Sequence, residues 1–81
     1  MLPAEGVTLD LIQFWGLIER NEFLEAAVHA GECDRGHCAI MLERIDRLLA
    51  SNTHYGLELM RALLVCREDV ALLRRGIEPP R

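Results

Sequence analysis

Apolar residues return at steps of three and four along most of this chain, a spacing that fits amphipathic α-helices and no other regular element. Leu11, Phe14, Trp15 and Ile18 form the first stripe. Thr8 precedes them as a suitable N-cap, so a helix is expected from about Leu9 to Arg20. Asn21 can end that helix or cap the next, whose Phe23, Leu24 and Ala27 give an apolar face over Glu22 to Ala30. The stretch 31–37 has two glycines and no apolar period, and reads as a loop. The alternative is one helix running straight through it, at a cost of about 1 kcal/mol per glycine.

Cys38, Met41, Leu42, Ile45, Leu48 and Leu49 mark a third helix from His37 to Ala50. Ser51-Asn52-Thr53 reads as a stop and a fresh cap. A fourth helix from His54 to Arg75 then follows, its apolar Leu59, Met60, Leu63, Cys66, Val70 and Leu73 holding the helical period. Arg74 and Arg75 suit its last turn, Gly76 suits the position just beyond, and Pro79-Pro80 forbids continuation. The expected fold is all-α: one domain over residues 1–81, a small antiparallel bundle of three to four helices, with 1–7 and 77–81 as extended tails. Helices 3 and 4 should form the strongest hairpin, and the core should include Leu11, Ile18, Leu42, Ile45, Leu49, Leu63, Val70 and Trp15.

An 81-residue chain that is 51% apolar has more water-avoiding surface than a thin bundle can hide, which predicts completion by dimerisation or by another protein. The aromatics Phe14, Trp15 and Phe23, with Met60 and Leu64 on helix 4, are the candidate interface residues, and Trp15 is the natural anchor. No apolar run is long enough for a membrane span. The first ten residues have no basic stretch leading into an apolar one, so a cytoplasmic location is expected. Three cysteines, an odd number without framework spacing, read as reduced thiols.

The net charge of −4 argues against general nucleic-acid affinity. Residues 1–34 hold seven acids and one arginine and residues 35–81 six acids and eight arginines, a bias that favours the two halves lying against each other. Every basic residue is arginine, which points to a GC-rich coding sequence of bacterial or phage origin.

His29, Cys33, His37 and Cys38 are the only grouped ligand-type residues. On an unbroken helix the first three would share one face and could hold a soft metal such as zinc, although one short segment would have to supply every ligand. The same residues could be written as a cysteine nucleophile with a histidine base. No oxyanion donor, orienting carboxylate or phosphate loop accompanies them, so no enzyme, cofactor or small-molecule substrate is expected.

Three short stretches resemble known families. Asn21-Glu-Phe-Leu-Glu-Ala26 is similar to the turn and second-helix start of a tetratricopeptide hairpin, and implies that shape alone. Ala26-Ala27-Val28-His29-Ala30-Gly31 resembles the first helix and turn of a helix-turn-helix DNA reader, which implies a recognition helix after Gly31, with Glu32, Asp34 and His37 where that family wants apolar or phosphate-binding groups. Arg67-Glu68-Asp69-Val70 is similar to the Arg-x-Asp-Leu motif of death-effector domains. The leading expectation is a non-enzymatic interaction protein: a small regulator, antagonist or chaperone-like subunit. The alternatives are a DNA-binding regulator with a degenerate helix-turn-helix, and a metal-binding or thiol-redox protein.

Overall fold

A computed structural model describes residues 4–51 and 54–80, with side chains from residue 9 onward within those ranges. Four helices follow in order: α1 (Ala4–Glu19), α2 (Phe23–Gly31), α3 (Arg35–Ala50) and α4 (Leu57–Arg74). They make a small all-α bundle, as the periodicity predicts.

Each helix end has a physical cause. Asn21 adopts φ 60°, and the amides of Asn21 and Glu22 reach back to the Ile18 and Leu17 carbonyls at 3.0 and 2.9 Å. This is a left-handed stop that asparagine tolerates better than most residues, so Asn21 ends α1 and does not cap α2. Gly76 repeats the device after α4: φ is 81°, with Gly76 and Ile77 amides on the Leu73 and Leu72 carbonyls. Arg35 adds a donor from outside, its Nε 3.1 Å from the Arg74 carbonyl.

The 31–37 stretch is neither the loop nor the unbroken helix expected. Only residues 32–34 leave helical geometry, because the Asp34 carboxylate accepts the Gly36 amide at 3.2 Å and starts α3 two residues before His37. Two further boundaries differ. Helix α1 begins at Ala4, so residues 4–7 are helical and not tail, and Thr8 lies inside the helix. Helix α4 begins after Gly56, three residues late, because Tyr55 turns inward to pack edge-on against Phe23, with ring centroids 5.4 Å apart. Asn52 and Thr53 lie outside the described residues. At the other end, residues 77–80 are non-helical, but Pro79 is buried, so this segment folds back on the bundle instead of trailing from it.

Around the bundle the order is α1, α2, α4, α3, and among the described residues the backbones of α1 and α4 do not approach each other. Consecutive helices reverse direction, whereas α2 and α4, in neighbouring places, run parallel: Phe23 meets Tyr55 just before α4, while Val28 and Gly31 lie with Leu73 near its end. The α2–α4 contact is at least as extensive as the α3–α4 hairpin, against expectation. The reason is that Ala26, Ala27 and Ala30 are all buried, and such small side chains let α2 sit close to its neighbour.

Six of the eight expected core residues are buried: Leu11, Ile18, Leu42, Ile45, Leu63 and Val70. Leu49 and Trp15 are only half-buried at its edge. Phe14, Phe23 and Met41 fill the centre instead.

Two substitutions test this account. Leu63→Ala empties a fully buried position and should cost about 2–5 kcal/mol, a large share of a small domain's stability. Gly76→Ala meets strain at positive φ and places its Cβ 2.8 Å from Arg35 Nη1, so a loss of about 1 kcal/mol or more is expected. Thermal and urea unfolding followed by circular dichroism would measure both.

Candidate functional site

Beside its buried stripe of Leu63, Cys66 and Val70, α4 presents Leu57, Met60 and Leu64 at three- and four-residue steps, about a third of the way round the helix. Leu57 is 70% exposed and Leu64 48%, while Met60 is half-buried. Val65 is exposed on the next strip of the same helix, and Leu24 and Val28 stand exposed one turn apart on neighbouring α2. Single exposed apolar residues are ordinary, but repeats at helical spacing form a surface that could dock another apolar face.

Of the five expected interface residues, two are thus on this face. Phe14 and Phe23 are not available at any surface: both are fully enclosed, Phe14 on the inward stripe of α1 and Phe23 under Tyr55. Trp15 takes an intermediate place between α1 and α3. The Arg44 guanidinium lies 5.0 Å from its ring centre, and its buried indole N–H finds no acceptor among the described residues. Leaving such a donor unpaired costs on the order of 1–3 kcal/mol, so Trp15 is not an optimised core residue.

The ligand-type residues divide differently from the sequence expectation. His29 ends α2 and Cys33 follows in the turn, their Nε2 and Sγ 3.5 Å apart, and the Cys33 thiol also donates to the His29 carbonyl at 3.2 Å. His29 Nε2 lies 3.0 Å from the Asp10 backbone carbonyl on α1. The donor atoms of Asp10, His29 and Cys33 all fall within 4.8 Å of one another. His37, in the first turn of α3, points its Nδ1 at Asp10 Oδ2 from 3.4 Å. Cys38 does not join them: it is buried facing the α2 carbonyls, its Sγ 4.0 Å from the Ala30 oxygen.

Asp10 is the member that sequence reasoning missed. It stands one helical turn before Phe14 and two before Ile18, so an acid on the edge of an apolar stripe was the available signal. Burial, with the Asp10 carboxylate next, pushes the Cys33 thiol up to about 11. This direction is opposite to the one that activates a cysteine nucleophile, because it keeps the sulfur protonated at neutral pH. Burial likewise pushes Cys66 up to about 12 and raises Cys38. All three cysteines are free.

A cleft of about 560 Å³ opens between the ends of α1 and α3, with Ile18, Arg44, Arg47 and Tyr55 on its walls. Arg44 is engaged by Trp15 and Arg47 by Glu43, so neither guanidinium is held ready for a ligand. Among the described residues no helix is long and apolar enough to cross a membrane. No family model, curated protein or solved structure matches the chain.

With metal excluded by chelator, Cys33 should be the first thiol alkylated, since Cys38 and Cys66 are buried. Its rate should rise roughly tenfold per pH unit until the pH approaches about 11, where the thiolate becomes the major form. Iodoacetamide labelling across a pH series with peptide mass spectrometry would measure this; a plateau near pH 8 would contradict it.

Proposed function

We propose that this chain is a non-enzymatic interaction protein, a small regulator, antagonist or chaperone-like subunit that acts by covering a partner's apolar surface or that of a second copy. The observation that carries the reading is the row Leu57, Met60 and Leu64 on α4, with Leu57 and Leu64 exposed and Met60 half-buried, which widens the apolar face of the helix beyond what the core uses. Because α2 and α3 flank α4 and α1 lies away from it, the row is held by the best-packed part of the bundle. A rigid surface of this kind loses little conformational freedom on binding.

Three cysteines without a disulfide between them fit a reducing compartment such as the cytoplasm. A DNA-reading role finds less support. The helix after the 32–34 turn carries His37, Cys38, Met41 and Leu42 into the core, and its outward side bears Glu43 and Asp46 beside its arginines. An acid-bearing helix face is poorly suited to the phosphate backbone.

The test is a Leu57→Ser, Leu64→Ser double variant. Both positions are exposed, so its melting temperature should stay within a few degrees of the parent's. Light scattering over a concentration series should find the parent above monomer mass, or untagged purification should retain a partner, and the variant should lose that association. A parent that stays monomeric at every concentration and retains no more protein than the variant would overturn the reading.

A further inference from the structure

The polar cluster at the junction of α1, α2 and α3 has the composition of a metal centre. Asp10 contributes a carboxylate, His29 and His37 imidazoles and Cys33 a thiol: four donors from three segments, gathered by the 32–34 turn. Bond lengths of about 2.0–2.3 Å to oxygen, nitrogen and sulfur put neighbouring donors of a tetrahedral ion about 3.3–3.8 Å apart. Two separations in the cluster already have that length: Cys33 Sγ to His29 Nε2 is 3.5 Å, and Asp10 Oδ2 to His37 Nδ1 is 3.4 Å. The donor atoms of Asp10, His29 and Cys33 lie within 4.8 Å of one another, and His37, outside that group, joins it through Asp10 as the fourth donor.

A second, independent observation concerns His37. The residue is only 9% exposed, and its buried Nδ1 makes no hydrogen bond among the described residues, its one neighbour of opposite sign being the Asp10 carboxylate at 3.4 Å. Burying a polar nitrogen unpaired is costly, and such an orphan calls for an occupant in front of it. A proton shared with Asp10 would need better alignment than the pair has, whereas an ion between the two groups would satisfy both.

We propose that Asp10, His29, Cys33 and His37 bind one divalent cation of the zinc class, which clasps α1 to the α2–α3 turn. The mixed nitrogen, sulfur and oxygen set selects a borderline-soft ion, and calcium or magnesium would require more oxygen donors than stand here. Four protein donors leave no open position, so the role is structural. Binding releases the Cys33 thiol proton to solvent and leaves both imidazoles neutral; His29 gives up the Nε2–H bond it donates to the Asp10 carbonyl and carries its proton on Nδ1 instead, so that the Nε2 lone pair is free for the ion. That carbonyl lies inside α1 and keeps its place in the helical hydrogen-bond ladder.

Cobalt(II) and zinc(II) titrations of the full chain, reduced and stripped with chelator, provide the test. Cobalt should bind with one ion per chain, giving the intense visible absorption of a tetrahedral centre and a near-ultraviolet thiolate charge-transfer band, and zinc should displace it. Cys33→Ser should abolish the charge-transfer band, and Cys38→Ala should leave it intact. Asp10→Asn and His37→Gln should each weaken cobalt binding by at least roughly tenfold, the lower end of what loss of even an outer partner costs. Zinc should also raise the parent's melting temperature and leave that of Cys33→Ser unmoved, a readout on the parent that does not depend on how the other variants fold. Failure of the parent to take up either metal at micromolar concentration would overturn the proposal, as would a cobalt complex whose spectrum survives Cys33→Ser.

Discussion

Asp34 accepts the Gly36 amide at 3.2 Å, and its own carbonyl takes the His37 amide at 2.9 Å. Those contacts occupy N–H groups at the start of α3 that would otherwise be unsatisfied, and they make restarting the helix cheaper than continuing it. Without that restart, α2 and α3 would be one rod of nearly thirty residues. Such a rod could not bring both of its apolar stripes to α4, and the hairpin of α1 and α2 would have nothing to close against. The reversal at 32–34 thus decides the order of helices around the bundle. It also decides that His29, before the turn, and His37, after it, face one point on α1.

The remaining packing follows from size. Small residues of α2 let it approach α4 closely, and the space left on the α1 side is filled by Phe14 and Phe23. Arg67 pairs with Asp46 across the α3–α4 seam, both about half exposed, where such a pair contributes at most about 1 kcal/mol. The bundle is therefore held by its interior, and the unequal charge of the two halves acts as a weak bias.

Much of this was legible from residue spacing. A repeat of three and four reports which face of a helix avoids water, and it identified all four helices and six of the eight proposed core residues. Gly76 was recognisable because few other residues accept its backbone angle. Spacing does not report which neighbour a face meets. Phe14 and Phe23 therefore read as interface residues, and the parallel contact between α2 and α4, which depends on alanines that hardly mark a stripe, went unseen. The late start of α4 was hidden for a similar reason, since Tyr55 leaves the helix to reach a ring more than thirty residues away. The polar cluster was half visible: His29, Cys33 and His37 stood out by type, Cys38 was included only by proximity in sequence, and Asp10 required knowing that α1 folds over the turn.

The apolar row on α4 and the polar cluster share no residue. The row belongs to α4, whereas the cluster joins α1 to the α2–α3 turn, and the α1 and α4 backbones stay apart. Helix α1 is the peripheral element, packed on two helices and leaving one edge of the bundle covered only while it stays docked. An ion at Asp10, His29, Cys33 and His37 would act on that docking, since its donors are together only in the closed arrangement. Its removal would first loosen α1 and uncover the ring of Phe14, while α4 remained braced by α2 and α3. The fold therefore separates the surface that would meet a partner from the contact that would hold the domain shut, so either can change in sequence without dismantling the other.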